Sequence, residues 1–298
     1  MLFGFVLKEA LMKLNITLKP QKKLSYYVRE GIRKLVMFGA LCVFTYSSYE
    51  LTKIYMDYQE ADTSYENMED QFFIPDIAVG ETQEPETDDS GNVIQSGTEL
   101  KEFKFDYDKL LEVNSSAAGW IKQDNIISYP IVKGLDNSYY LTHAADHSST
   151  KNGAIFVDYR IDSDPSNPAS VLETRNCIIY GHNMRNGAMF GSLINYRDQS
   201  YYQRHKTMQI YVGHDLYTYH VFSAYESDHI GYTYTYNFSS DEEFQEYITY
   251  CMNNRWYITD IDQNVTVNDK IITLSTCTNV DDTKRFIVHL VRGEKVEE

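Results

Sequence analysis

Residues 270–286 read KIITLSTCTNVDDTKRF, a β-type apolar run that ends in Cys277, with Arg285 eight positions later. A structural cysteine would sit inside the run, among Ile271, Ile272 and Leu274. One at its end, between Thr276 and Thr278, is placed to react. Period-two alternation puts Ser275, Thr273 and Ile271 on the face of Cys277, and Ile287, His289 and Val291 on the face of Arg285. A hairpin through 278–284 would bring Cys277 and Arg285 to the same end of neighbouring strands. A guanidinium there can lower a thiol pKa from its usual ~8.5, or steady the oxyanion formed when a thiolate attacks a carbonyl. The alternative is a buried thiol beside an ordinary surface arginine, and spacing alone leaves both open.

A cysteine nucleophile needs an acid/base partner, and the chain has eight histidines. His182 closes the run NCIIYGH and precedes NMRNGAMFGSL, so it too stands at a strand mouth. His143 and His147 are four apart but lack a helical context and the glutamate of a zinc protease motif, so no metal is expected. His205, His214 and His229 read as loop residues, and His220 and His289 as structural strand residues. Of the four cysteines, Cys42 lies in an uncharged segment, Cys177 inside NCIIY and Cys251 in a helical pattern. That distribution argues against a disulfide framework. No cofactor is expected.

The elements that must carry these residues are mostly strands. GWIK, YPIVK, GAIFVDYR, NCIIYGH, MQIYVG, LYTYHVFSAYE, NVTV, KIITLSTC and RFIVHLVR are short β-type runs separated by turns, the pattern of a barrel or sandwich. FDYDKLLEVN (105–114) reads as a short helix. Between late strands, residues 239–257 begin with Ser240 and Glu243 as a capping box. Phe244, Tyr247, Ile248 and Cys251 then follow at helical spacing.

Charge divides the chain. Residues 1–34 carry a net +6, which leaves −22 on the rest of a chain whose total is −16. Residues 35–49, LVMFGALCVFTYSSY, are uncharged; fifteen helical residues rise about 22 Å, so a span must borrow neighbours out to 35–53. With the basic side inside, this predicts a single-pass anchor with a cytoplasmic N-terminus. The alternatives are a signal peptide, which the following Tyr-Ser-Ser-Tyr-Glu fits poorly, or a buried core helix. The first eighteen residues are amphipathic and could lie on the inner membrane face, or precede a true start at Met12. Residues 54–100 hold no Lys or Arg and many carboxylates, the composition of a solvated linker, although Glu50–Glu69 could continue as helix. The folded domain is therefore expected over 101–298. Its acidity excludes nucleic acid as a partner, because nothing basic outside 1–34 could neutralise phosphates.

TLSTC followed by Arg285, and YGHNM 95 residues before Cys277, resemble the signature of sortases, the cysteine transpeptidases of Gram-positive cell surfaces. GWIKQDNIISYPIVKGLDNSYYLTH, GAIFVDYR, YGHNMRNGAMFGSL and the helix at 239–257 resemble class B in particular, over about 105–292. The resemblance implies a mainly β fold: an eight-stranded sortase barrel with an N-terminal helix and a helix inserted before the seventh strand. It implies Cys277 as nucleophile, His182 as acid and base, and Arg285 holding substrate and oxyanion. Asn137, Leu141, Ser275 and Thr276 would contact the C-terminal sorting signal of a surface protein, with Tyr234 in a wall over 232–236. The second substrate would be a peptidoglycan precursor or cross-bridge amine. A pilin lysine as acceptor, or a non-catalytic membrane-tethered scaffold, are the other readings.

Overall fold

The computed structural model describes residues 24–75, 103–259, 265–278 and 283–297. The expectations for 1–23 and for most of the linker, 76–102, fall outside these residues. Two units divide at Met56, each described by itself. The first contains the start of helix α1 (Leu24–Phe72). Its stretch Tyr26–Met56, 31 residues, is long and apolar enough to cross a membrane, and its side chains are not buried in the protein. At 1.5 Å per residue it exceeds the ~30 Å hydrocarbon core without help from neighbours.

The second unit is built around a closed barrel. Its strands are β3 (Ala117–Gln123), β4 (Ile127–Lys133), β5 (Ile155–Val157), β6 (Asn176–Tyr180), β7 (Thr207–Val212), β8 (Asp215–Asp228), β9 (Ile271–Cys277) and β10 (Lys284–Lys295). Around the barrel they run β10-β8-β7-β3-β4-β5-β6-β9, which closes by pairing β9 with β10. Eight of the nine expected runs are these strands. The ninth, NVTV, is not a strand over its described residues 265–267: Thr266 spends its backbone N–H and its hydroxyl on the Asp269 carboxylate, at 2.7 and 2.9 Å. A local carboxylate of this kind competes directly with a ladder, and here it makes a turn. Val265 still packs, buried beside Phe244 and Ile248.

Helices close the outside. α2 (Tyr107–Val113) is capped by Asp106, which accepts from Lys109 N, and α3 (Gln199–Arg204) leads into β7. α4 (Asp241–Asn254) lies between β8 and β9, the sixth and seventh barrel strands, three residues shorter at its C-terminal end than expected. Ser240 Oγ accepts from Glu243 N at 3.3 Å, and the Glu243 carboxylate accepts from Ser239 N at 2.6 Å, one residue earlier than a standard box. Phe244, Tyr247, Ile248 and Cys251 of α4 are buried against Ile271, Val291 and Phe222. Ile272, Leu274, Phe286, Val288 and Leu290 face the opposite way, into the barrel core. The Cys277 face of β9 is thus the face toward α4.

The linker expectation is corrected at its start. Tyr65, Met68 and Phe72, one stripe of α1 at helical spacing, are buried, while Asn67, Asp70 and Gln71 remain exposed. Phe73 begins β1 (Phe73–Pro75), which pairs with β2 (Phe103–Phe105). Phe72, Phe73 and Phe105 surround Trp120 with ring centres 5.3–6.0 Å away. Tyr65 donates to Gly153 O at 2.6 Å, and Asp106 N to Phe72 O at 2.8 Å. The acidic composition hid this stripe because it sets the average, whereas one helical face does the packing. The packed unit therefore starts well before residue 101. A chain beginning at 101 should be less stable than one beginning at 57 by several kcal/mol, since truncating a single buried Phe costs about 3–5 kcal/mol. Urea denaturation of the two chains checks this; equal midpoints would mean residues 57–75 add nothing.

Candidate active site

Three strands build the site. Antiparallel register pairs Arg285 of β10 with Cys277 of β9. On the other side of β9, parallel pairing sets Tyr180 of β6 beside Ser275, and Gly181 N continues it by donating to Ser275 O at 3.2 Å. Continuing that register two residues past the end of β6 sets His182 level with Cys277. Adjacent strands lie about 4.8 Å apart, so His182, Cys277 and Arg285 form a row across one end of the sheet. The antiparallel pairing expected of a hairpin between Cys277 and Arg285 is present, while its turn at 279–282 lies outside the described residues.

Hydrogen bonds fix the row. Asn183 Nδ2 donates to Cys277 O at 2.7 Å, tying the segment after His182 to the Cys277 backbone. His182 Nε2 lies 2.8 Å from Leu141 O. A carbonyl can only accept, so Nε2 carries a proton there. The Arg285 guanidinium donates to Lys284 O at 2.9 Å. Cys277 is half-buried, whereas Cys177 and Cys251 are buried, and all are free. Burial raises both of those thiols, Cys251 to about 12, which keeps them protonated and inert.

The expected signal-contacting residues divide into two groups. Ser275 shares the Cys277 face, and its hydroxyl meets Tyr234 OH at 3.0 Å. Burial pushes Tyr234 up to about 12, with Arg285 pulling the other way, so Tyr234 is a neutral phenol between the wall and the row. Leu141 ends a 3-10 turn (Tyr139–Leu141) with its side chain 39% exposed. Asn137 Oδ1 accepts from Tyr159 N at 3.0 Å, which joins two loops beside the site. Thr276 stands apart: its side chain is on the opposite face, buried, with its hydroxyl donated to Gly181 O at 2.8 Å. It holds β9 to the chain entering His182 rather than facing a ligand.

Sequence reasoning missed the groups behind the wall. Tyr180 donates to the buried Asp158 at 2.8 Å; Arg160 pairs with the same carboxylate and lies 4.9 Å over the Tyr236 ring. Asp158 is held below the usual carboxylate range, its burial outweighed by bonds from Arg160 and Tyr180. GAIFVDYR holds only Asp158 and Arg160; Tyr180 and Tyr236 come from two other segments, so it does not signal the cluster. His143 stacks on Tyr139 at 4.1 Å, and His147 lies 3.3 Å from Tyr139 OH. Among the described residues no group of three or more His, Cys, Asp or Glu could hold a metal ion.

Below the row, His289 is fully buried, with Thr273 Oγ1 and Tyr225 OH each 3.0 Å from a ring nitrogen. Tyr225 and Tyr247, whose rings also face it, are raised by burial and stay neutral. Burial lowers His289 to about 3, against about 6.5 in an unfolded chain. Between those values the unfolded chain binds the extra proton. The stability from this site is therefore complete above about pH 6.5 and is lost as pH falls toward 3, at about 1.4 kcal/mol per pH unit. His289→Gln should flatten the fall in unfolding free energy between about pH 6 and 4. An unchanged slope would show that another group controls acid unfolding.

A family model described as the sortase domain matches residues 124–292. A sortase B of Staphylococcus aureus is 31% identical over 185 residues, 61% of this chain and 72% of that protein. A sortase B of Listeria monocytogenes is 31% identical over 222 residues, 74% of this chain and 83% of that protein. The crystal structure of Bacillus anthracis sortase B in complex with AAEK1 superposes with a TM-score of 0.61 at 29% identity, covering 80% of this chain and 99% of that one.

Proposed function

We infer the reaction from the premise that this chain belongs to the sortase family, in its class B branch: it is a cysteine transpeptidase of the cell-wall anchoring kind. The proposal adds the substrates and the roles. Cys277, its thiol proton passed to His182, attacks as thiolate the carbonyl carbon of a Thr in the C-terminal sorting signal of a surface protein. The resulting oxyanion is met by Arg285. Collapse breaks the peptide bond, His182 gives its proton to the leaving amine, and the acyl group stays on Sγ as a thioester. A primary amine of a peptidoglycan precursor then attacks the same carbon, loses its proton to His182, and returns the electron pair to Sγ. The observation that carries this reading is the row at one end of three adjacent strands, with Cys277 ending β9, Arg285 in register on β10 and His182 two residues past the end of β6.

Asn137, Leu141 and Ser275 line the approach for the signal, with Tyr234 as its wall and Thr276 supporting the floor from beneath. Tyr26–Met56 serves as the membrane anchor. Arg29, Arg33 and Lys34 at its start favour a cytoplasmic N-terminus, which puts the barrel outside the cell. The test is to incubate the protein with a small library of signal peptides and weigh the intact chain. An acyl adduct mapped to Cys277 is expected for peptides cleaved after Thr. Cleavage without any adduct, or no cleavage of any peptide, would overturn the reading.

A further inference from the structure

Residues 232–236 hang between the end of β8 at Asp228 and the start of α4 at Asp241. Their backbone–backbone hydrogen bonds stay within one turn: Tyr234 N donates to Gly231 O and Thr235 N to Tyr232 O, both at 3.1 Å. Among the described residues no ladder joins this wall to a strand. Side chains attach it instead. Tyr247 of α4 donates its hydroxyl to Thr233 O at 2.9 Å, and Asn176 of β6 donates Nδ2 to Thr235 O at 2.7 Å. The same Nδ2 donates to Tyr247 OH at 2.9 Å, so one linked pair holds both carbonyls. The Thr233 hydroxyl adds contacts of 2.8–3.3 Å to the hydroxyls of Ser227, Tyr250 and Tyr225.

Behind this pair the direction of each bond is fixed. Thr273 gives its one hydroxyl proton to Asn176 Oδ1 at 2.8 Å. It can then only accept from His289 Nδ1, 3.0 Å away, so the single proton of that neutral ring sits on Nδ1. His289 Nε2 is left to accept from Tyr225 OH at 3.0 Å. A buried polar network with every member satisfied is rigid, and this one aims the Asn176 amide at the wall. Asn176 and Tyr247 are themselves fully buried and offer no surface to a peptide. What they deliver is Tyr234, which lies between the two held carbonyls. Its hydroxyl meets Ser275 Oγ at 3.0 Å, and its ring stacks on Tyr180 with centres 6.2 Å apart.

We propose that Tyr247 and Asn176 are positioning residues for the sorting signal. By holding the carbonyls of Thr233 and Thr235 they set where Tyr234 stands, and so how tightly the signal binds. The inference rests on the reading of Tyr234 as the wall of the signal groove. It gives α4 a part in substrate binding without any contact with substrate. A wall without a ladder has no other way to hold a fixed distance from β9, because its own turn closes only on itself. Losing either donor leaves a buried carbonyl unpaired, and the turn can recover a partner only by shifting.

The test uses full-length protein in detergent micelles and the best-cleaved peptide of the signal library, with kcat and KM read from thioacyl formation. Tyr234→Ala is measured first and should raise KM by ~10-fold or more. Tyr247→Phe, which keeps the ring and removes only the hydroxyl, should raise KM by ~5–10-fold with kcat little changed, the pattern of lost uniform binding. Asn176→Ala should do the same. In the Tyr234→Ala background Tyr247→Phe should add nothing to KM, because it acts through that side chain. Alkylation of Cys277 by iodoacetamide, which is too small to need the wall, should be unchanged throughout. Tyr219→Phe is the control: it removes another fully buried hydroxyl, one that accepts from Arg292 at 2.7 Å eight residues back along β8 from Ser227. It should lower the unfolding midpoint and leave KM alone. The proposal is overturned if both Tyr247→Phe and Asn176→Ala keep the wild-type KM, if Tyr219→Phe raises KM as much, or if the effects of Tyr247→Phe and Tyr234→Ala multiply. A Tyr234→Ala variant with wild-type KM would remove the wall itself from the signal site, and this inference with it. A wild type that forms no thioacyl enzyme with any peptide would overturn the transpeptidase roles on which both stand.

Discussion

Cys277→Ala should abolish thioacyl formation and transfer, a loss on the order of 10⁴–10⁶ in kcat for a nucleophile acting as part of a unit. Stability should change little. The thiol is half-buried, and the contacts that hold its segment are backbone ones: the β9–β10 ladder and the bond from Asn183 to Cys277 O. No other thiol of the barrel unit can take over. Cys177 lies inside β6 and Cys251 inside α4, both buried and both raised by burial. A thiol reagent added to the native protein should therefore label Cys277 and leave those two until the chain unfolds. The measurements are transfer rate, unfolding midpoint and mapped alkylation. Transfer by the Ala variant at the wild-type rate would end the mechanism, and rapid labelling of native Cys177 would end the packing argument.

Arg285→Lys should be nearly as damaging as Arg285→Ala, with a loss of about 10²–10³ in kcat/KM, the usual cost of one oxyanion donor. Lys keeps the charge but lacks the planar fork, which can hold two acceptors at fixed geometry. Arg285 is paired in register with Cys277, and one of its nitrogens already donates to Lys284 O. A peptide lying there presents carbonyl oxygens, and a fork can hold a carbonyl and the developing oxyanion together. If Arg285 acted only through its field on the thiol, Lys would retain most of the rate. The two variants should be compared by kcat/KM and by the pH profile of Cys277 alkylation. Near-normal rate for Lys, with an altered alkylation profile in Ala alone, would assign Arg285 a field role instead.

Much of the barrel was legible because its signals are local. Alternation along 271–277 and 285–291 gave the faces of β9 and β10, whereas Thr276, expected to contact the signal, lies buried on the other face with its hydroxyl bonded to Gly181 O. Ser240 and Glu243 marked the start of α4 because a cap depends on four consecutive residues. The apolar run after a basic segment marked the first part of α1 for the same reason.

What only the tertiary structure decided are the pairings between distant segments. His182 is 95 residues from Cys277, and it comes level with it only because β6 and β9 pair in parallel as the barrel closes. Which strands become neighbours depends on the fit of whole faces, and no window of sequence contains that. Residues 65–73 looked like linker by composition, yet a stripe of Tyr65, Met68 and Phe72 finds an aromatic surface built by Trp120 and Phe105 from later in the chain. NVTV had the composition of a strand, but Asp269 captured its backbone first. Asp158, Arg160, Tyr180 and Tyr236 each look ordinary in sequence; burial of the carboxylate forces them together, since a charge taken out of water must be paired.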